Sequence, residues 1–534
     1  MSAAAPTAGR GSAAAPAAMP DSVKYLIFGV MAFGQFMAML DIQIVAASLN
    51  DIRAGLSAAP DEVSWIQTAY LMAELVMIPF SAFLAQAMST RWLFAASSAL
   101  FVLSSIACGL AWNIESMIAF RALQGFTGGA MIPTVFATGF TLFEGKQRAM
   151  IPAILGMVSV LAPTLGPTVG GLITQAFDWR WIFFINVAPG IAVTLSVIWL
   201  VRIDKPDTSM FARIDWVHLA AMATFLAGLE YVLEEGPKQS WFEDGHIAVA
   251  AWVSAVAFLL FLERSFLSTM PIVNLSPFRR PRFAFACLFN IVIGFGLFAS
   301  IYLIPIYLGR VRGYDSLQIG ETVFVVGLAQ IISTIVAARV SQTVDRRITI
   351  TIGLLMFAFS LWLSAHMTAE WGFAELFWPQ AVRGLAVMLC IVPSVGMALE
   401  GFAGNELRYA SGLFNLMRNL GGAIGIATVN TWLVDFARIQ ASRFGESLGG
   451  TPDTARAVMA GLAGRLGAVT PDPDRALLMA QAMMGHVVER QSLVVAFDDI
   501  FRLMSWMFVG ALVMVPFCKP PAGGAAAPAP LEAH

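Results

Sequence analysis

Residues 161–173 read LAPTLGPTVGGLI, with two prolines, three glycines and two threonines inside an otherwise apolar run. The run lies within a longer apolar window, 149–176, yet it is built from residues that weaken helices. Gly166 and Gly170 are four apart and fall on one helical face, where missing side chains let a neighbouring backbone approach. Pro163 and Pro167 remove backbone donors and permit a bend, and Gly171 doubles the end of the glycine step. Such a helix suits a protein whose halves rock against each other. A GxxxG step alone is equally compatible with static packing.

Working outward, the chain has 534 residues, 58% hydrophobic and 12% charged, with a mean hydropathy of +0.75, outside the range of soluble domains. Apolar windows of roughly 20 residues, each able to cross a ~30 Å hydrocarbon core, recur along it. They predict an all-α integral membrane protein with fourteen spans: 25–48, 63–86, 92–111, 115–139, 149–176, 181–201, 214–234, 246–263, 284–309, 317–338, 347–366, 373–399, 408–433 and 494–517. If the N-terminus is cytoplasmic, inward loops and span ends carry sixteen Lys/Arg and short outward ones five, so both termini are expected in the cytoplasm. Trp65, Trp92, Trp112, Trp179, Trp241 and Trp371 near span ends fit an interfacial belt.

Other classes find little support. The net charge of -2 and the lack of Lys/Arg-rich runs with interleaved aromatics set nucleic-acid binding aside. Cys108, Cys287, Cys390 and Cys518 stand alone, and the five histidines are scattered, so local spacing builds no metal or redox site and no cofactor is expected. Gly145-Lys146 is followed by Gln147 and lacks a phosphate-cradling loop, so any energy-requiring work of the chain would draw on an ion gradient rather than on a bound nucleotide of this kind. The Ala-, Pro- and Ser-rich residues 1–24 read as a disordered cytoplasmic N-terminus.

A weak repeat emerges when RALQGFTGGAMIP (121–133), followed by Arg148, is set against RGLAVMLCIVP (383–393), followed by Arg408. In the next spans Gly166 and Gly170 correspond to Gly421 and Gly425. Parallel repeats of this kind build transporters from two six-helix halves. The expected organisation is a first half at 25–201, a linker with two inserted spans at 202–283, and a second half at 284–517 before a cytoplasmic tail, 518–534; the second half includes an outward segment, 435–493, whose helical patterning and turn signals at GGTPDT (449–454) and TPDPD (470–474) read as a helical hairpin.

These motifs carry a resemblance. LAPTLGPTVGG resembles the antiporter signature of the fifth helix in the major facilitator superfamily, and RALQGFTGGAMIP resembles its fourth-helix signature. With WRWIFFINVAPG (179–190), LDIQIVAASL (40–49), WPQAVRGLAV (378–387), SGLFNLMRNLGGAIG (411–425) and the inserted pair, the chain resembles the fourteen-helix EmrB/QacA-type drug:proton antiporters, nearest the EmrB branch. The resemblance spans roughly residues 25–520. It implies the superfamily fold and export of small, largely apolar compounds across a bacterial inner membrane in exchange for protons. It also implies work with a periplasmic EmrA-like membrane-fusion adaptor and an outer-membrane channel, for which 435–493 is a candidate docking surface. Gln43 and Asn50 stand where the family pattern usually has threonine and proline. SAFLAQAMSTRW (81–92) keeps little of the charged loop signature that helps lock conformations in the superfamily.

Independently of family, ionisable residues within spans are costly unless paired or cavity-facing, which marks them as functional candidates. Asp41 lies about 24 Å from the inner edge and Arg121 about 9 Å from the outer edge at 1.5 Å per residue, so the two could meet. Either Asp41 exchanges the proton with Arg121 as its alternating partner, or they form a fixed ion pair. Glu74, near mid-membrane like Arg383 and Arg418, is a second candidate for carrying a proton or meeting a cationic substrate, against a neutral hydrogen-bonded role. Gln43, Gln124, Asn415, Arg418 and Arg383 are candidates for lining a substrate cavity, and Gln124 and Asn415 could equally be interhelical glue. Glu230, near a span end, reads as interfacial. The rival functions are a proton-coupled importer or facilitator of a metabolite and, more distantly, a membrane receptor or enzyme.

Overall fold

The computed structural model describes residues 20–59, 62–148, 150–268, 271–314, 316–402, 404–450, 459–461, 463–465 and 472–517. Expectations for residues 1–19, for Cys518 and the tail 518–534, and for turn residues 451–454 and 470–471 lie outside the described residues. The helices are α1 Asp21–Ala47, α2 Leu49–Leu56, α3 Trp65–Met88, α4 Thr90–Gly109, α5 Ile114–Gly129, α6 Met131–Leu142, α7 Gly145–Arg148, α8 Ile151–Ala176, α9 Trp181–Phe184 and α10 Val187–Leu200. They continue with α11 Trp216–Glu235, α12 Gly245–Leu267, α13 Pro281–Tyr307, α14 Ser316–Thr343, α15 Arg346–Ser364, α16 Phe373–Leu399, α17 Gly404–Gly450 and α18 Pro473–Ala511. No strand occurs among the described residues.

Local sequence sets several starts. The Asn113 side chain accepts from the Ser116 backbone N–H at 3.0 Å and opens α5, while Asp215, Asp244 and Asp345 cap α11, α12 and α15 in the same manner. Asp21 and Lys24 sit in the first turn of α1, 3.3 Å apart, after Pro20, so residues 21–24 are helix rather than part of a disordered terminus.

Among the described residues, twelve helical stretches are long and apolar enough to cross a membrane. The α5–α6 run and α8 occupy the places of the fourth and fifth expected spans, and α8, at 26 residues, is about 39 Å long. Pro163 and Pro167 do not interrupt α8. Spans 13 and 14 differ in extent from the sequence reading: α17 continues to Gly450 and α18 begins at Pro473, so both helices run on beyond the length a bilayer requires. They stay together there, and Gln440 Nε2 donates to Asp499 Oδ2 at 3.3 Å.

Among α1–α10, α1 packs on α8, α10 and α6, and α5 packs on α3 and α4. Among α13–α18, α17 packs on α13 and α18, and α16 on α14 and α15. The two sets meet where α8 lies on α14 and α16, and where α17 lies on α3 and α6. The inserted pair stands at the second seam, with α11 against α12, α3 and α17.

The glycine steps explain how these helices approach. A Cβ at Gly166 would fall on the Gln43 side chain, and one at Gly170 would lie 3.1 Å from the Ile44 carbonyl oxygen, so α8 rests directly on α1. A Cβ at Gly421 would fall on the Ile291 carbonyl, and one at Gly425 would lie 2.8 Å from the Phe295 carbonyl oxygen, which sets α17 on α13. The sequence repeat is thus a packing repeat.

Gly166→Leu is expected to cost about 1–3 kcal/mol by overpacking and to lower the melting temperature of the purified protein by several degrees. Gly29→Ala, where a Cβ meets nothing within 4 Å, should leave it unchanged. Equal melting of the two variants would remove close approach as the reason for the glycine.

Candidate functional site

Asp41 and Arg121 meet in the interior, 1% and 0% exposed, with Arg121 Nη1 donating to Asp41 Oδ2 at 2.7 Å. Asp41 Oδ1 accepts two more hydrogen bonds, from Gln124 Nε2 at 3.1 Å and Asn186 Nδ2 at 2.7 Å. Asn186 also donates to Ser105 Oγ at 3.1 Å, and Ser105 Oγ donates to the Phe183 carbonyl at 2.9 Å. Arg121 Nη1 further donates to Gln124 Oε1 at 2.7 Å and Nε to the Ile66 carbonyl at 3.3 Å. The Tyr70 ring lies 4.2 Å below the guanidinium. Residues of α1, α3, α4 and α5 and of the turn before α10 are therefore joined in one network around this carboxylate. Charge-assisted bonds of this kind are the strong ones, and burial strengthens them further. One group is left over: Arg121 Nη2 is buried without a hydrogen-bond partner.

Glu74 does not join that cluster. It is 5% exposed, makes no hydrogen bond or ion pair among the described residues, and lines a cavity of about 120 Å³ with Gln43, Gln67, Glu230, Glu234 and Asn419. Walls from α1, α3, α6, α11, α13 and α17 enclose this space, so both helix sets and the inserted pair contribute. Glu230 corrects the sequence reading, because it is 5% exposed and faces the cavity instead of the membrane interface. Its helix packs against α3 and α17, a lateral relation that residue order along the chain does not contain.

The remaining candidates are held elsewhere. Gln124 belongs to the Asp41 network rather than to the cavity wall. Arg418 Nη2 donates to Asn415 Oδ1 at 3.1 Å, and Asn415 donates to the Ser411 carbonyl at 2.9 Å. Arg383 is buried at 3% exposure and bonds to Gln380, with no ion pair among the described residues. The packing repeat accounts for this: Gln43 meets Gly166 as Ile291 meets Gly421, and two residues before each stand Asp41 and Phe289. The second set keeps two buried arginines, Arg383 and Arg418, and among the described residues no carboxylate pairs with either.

Sequence reasoning does not single out Asn186 or Asp204. Asn186 lies inside the quoted WRWIFFINVAPG stretch. Asp204, on the loop after α10, accepts from the Thr90 backbone N–H at 3.0 Å and from Thr90 Oγ1 at 2.9 Å, and it pairs with Arg408 at the start of α17. It ties the first turn of α4 to the second helix set, at the loop where the sequence keeps little of the superfamily's charged signature.

The sequence pattern of the Major Facilitator Superfamily matches residues 31–426. The chain is 36% identical over 501 residues to the colistin resistance protein EmrB of Acinetobacter baumannii, covering 93% of this chain and 96% of that protein. It is 29% identical over 495 residues to the multidrug export protein EmrB of Escherichia coli, covering 92% and 95%. Among solved structures, the human organic anion transporter MFSD10 aligns with a TM-score of 0.58 at 12% identity, over 93% of this chain and all of that one, a likeness of fold.

Arg121→Met would leave a buried carboxylate without its cation and is expected to destabilise the protein by about 3–5 kcal/mol. The double variant Asp41→Asn/Arg121→Gln should recover much of that loss, read as melting temperatures in one detergent. Equal destabilisation by both would mean that pairing is not what holds the cluster.

Proposed function

The chain belongs to the Major Facilitator Superfamily and is a multi-pass membrane transporter rather than an enzyme, and from that premise we propose that it is a proton-driven antiporter exporting hydrophobic or amphipathic small molecules. The carrying observation is a carboxylate, Asp41, held by Arg121, Gln124 and Asn186 inside a helix bundle, close to a cavity bounded by both helix sets.

In this reading a proton and Arg121 compete for the same carboxylate. Protonation neutralises Asp41, frees the guanidinium, and shifts the balance between two arrangements of the halves. Glu74 and Glu230 face the cavity, where they meet the substrate or hold a second proton. One proton moving across 100 mV supplies about 2.3 kcal/mol. Gly166 and Gly170 keep α8 sealed on α1 while the halves move, and the Asp204–Arg408 contact holds the basic face closed.

The membrane in this reading is the bacterial inner membrane with both termini cytoplasmic. The projecting ends of α17 and α18 then offer a periplasmic surface for an EmrA-like membrane-fusion adaptor that leads to an outer-membrane channel.

Purified protein should release protons on addition of hydrophobic compounds, and Asp41→Asn should abolish that release while Glu74→Gln keeps it. Release unaffected by both substitutions would remove Asp41 as the coupling site, and its absence from the unaltered protein would favour a facilitator. Asp204→Ala should open the basic face, read as faster thiol labelling of Gln43→Cys. The native Cys108, Cys287 and Cys390 are buried and should stay silent, and Cys518 is removed by Cys518→Ser in both proteins compared. An unchanged labelling rate would exclude the latch.

A further inference from the structure

A cavity of about 780 Å³, more than six times the size of the central one at about 120 Å³, lies beside the halves. Phe225 of α11, Phe258 and Phe261 of α12, and Leu416 and Leu420 of α17 form its apolar walls. It shares no lining residue with the central cavity, so it is a separate compartment. Phe258, 37% exposed, and Phe266, 68% exposed, place its outer wall against the bilayer.

Its mouth is built by the linker between α12 and α13. His218 Nδ1 accepts from the Ile272 backbone N–H at 3.2 Å while its Nε2 lies 3.1 Å from Ser265 Oγ, which fixes the linker to both inserted helices. Asn274 Oδ1 accepts from the Ser276 backbone N–H at 2.8 Å and turns the chain, and Arg279 follows at the rim. The adjacent Arg280 is committed to Glu406 and the Gly401 carbonyl, at 2.9 and 2.8 Å. Arg279 is exposed and has no ion pair among the described residues. An apolar chamber of ligand size with a free cation at its rim, on the arginine-rich face, matches an anionic amphiphile drawn from the adjoining leaflet.

We propose that this chamber is a resident lipid site, in which an acyl chain of an anionic glycerophospholipid lies between α12 and α17 with its phosphate at Arg279. It rests on the membrane orientation proposed above, not on the transport cycle. The lipid fills the wedge that joins the inserted pair to α17, and so couples that pair to the second half.

The test is binding, read without transport. In native mass spectrometry of the detergent-purified protein, palmitoyl-oleoyl phosphatidylglycerol should be retained about five-fold over phosphatidylcholine with the same chains, the effect of one basic side chain near the surface. Arg279→Gln should erase the preference and Arg279→Lys should keep it. No preference in the unaltered protein would overturn the proposal, as would a preference that survives Arg279→Gln. Displacement of phosphatidylglycerol by a transported dye would also overturn it, by assigning the chamber to the transport path.

Discussion

The buried contact between Asp41 and Arg121 constrains the rest of the protein. Two charges taken from water into a low-dielectric interior are costly, and their mutual attraction offsets that cost only when geometry is good and the remaining donors and acceptors are met. That requirement draws α1, α3, α4 and α5, with the turn before α10, to one point. The carboxylate is satisfied three times over, whereas the guanidinium retains an unmet nitrogen. A cluster so arranged can lose its ion pair without losing its framework, because Asn186 and Gln124 still hold the neutral side chain in place.

Holding that cluster requires helices that lie almost backbone to backbone. Lipid tails are as apolar as the side chains, so helix association in a membrane depends on contact and hydrogen bonding rather than on expulsion of water. Gly166 and Gly170 of α8 against α1, and Gly421 and Gly425 of α17 against α13, give the two helix sets the same close seam. At these seams the sets differ in chemistry: Asp41 has Phe289 as its counterpart, and Arg383 is left to Gln380.

Features local to a single span are legible in the residue order alone. The membrane-spanning helices follow from hydropathy, the α8 seam from glycine spacing, and the Asp41–Arg121 meeting from counting depth at a fixed rise per residue. Glu230 and Asp204 escape that reading. The role of each depends on which distant helix lies alongside, α3 and α17 for the first and α4 and α17 for the second, and no periodicity encodes lateral neighbours. The ends of α17 and α18 fall where the helical patterning of 435–493 and its turn signals put them; what hydropathy does not give is that each is continuous with a span, because the helices run on in polar sequence after the apolar windows stop.

The length of α17 magnifies any tilt about its first turns. Its 47 residues make a rod of about 70 Å at 1.5 Å per residue, and Arg408 grips Asp204 near one tip. Moving as one piece, the rod sweeps its far end by roughly 1.1 Å for each degree of tilt about that grip, by the same rise per residue. A ten-degree swing would carry the projecting end about 11 Å and Gly421, in the seam on α13, about 3 Å, so a small slip along the glycine seam is magnified about three-fold at the projecting end.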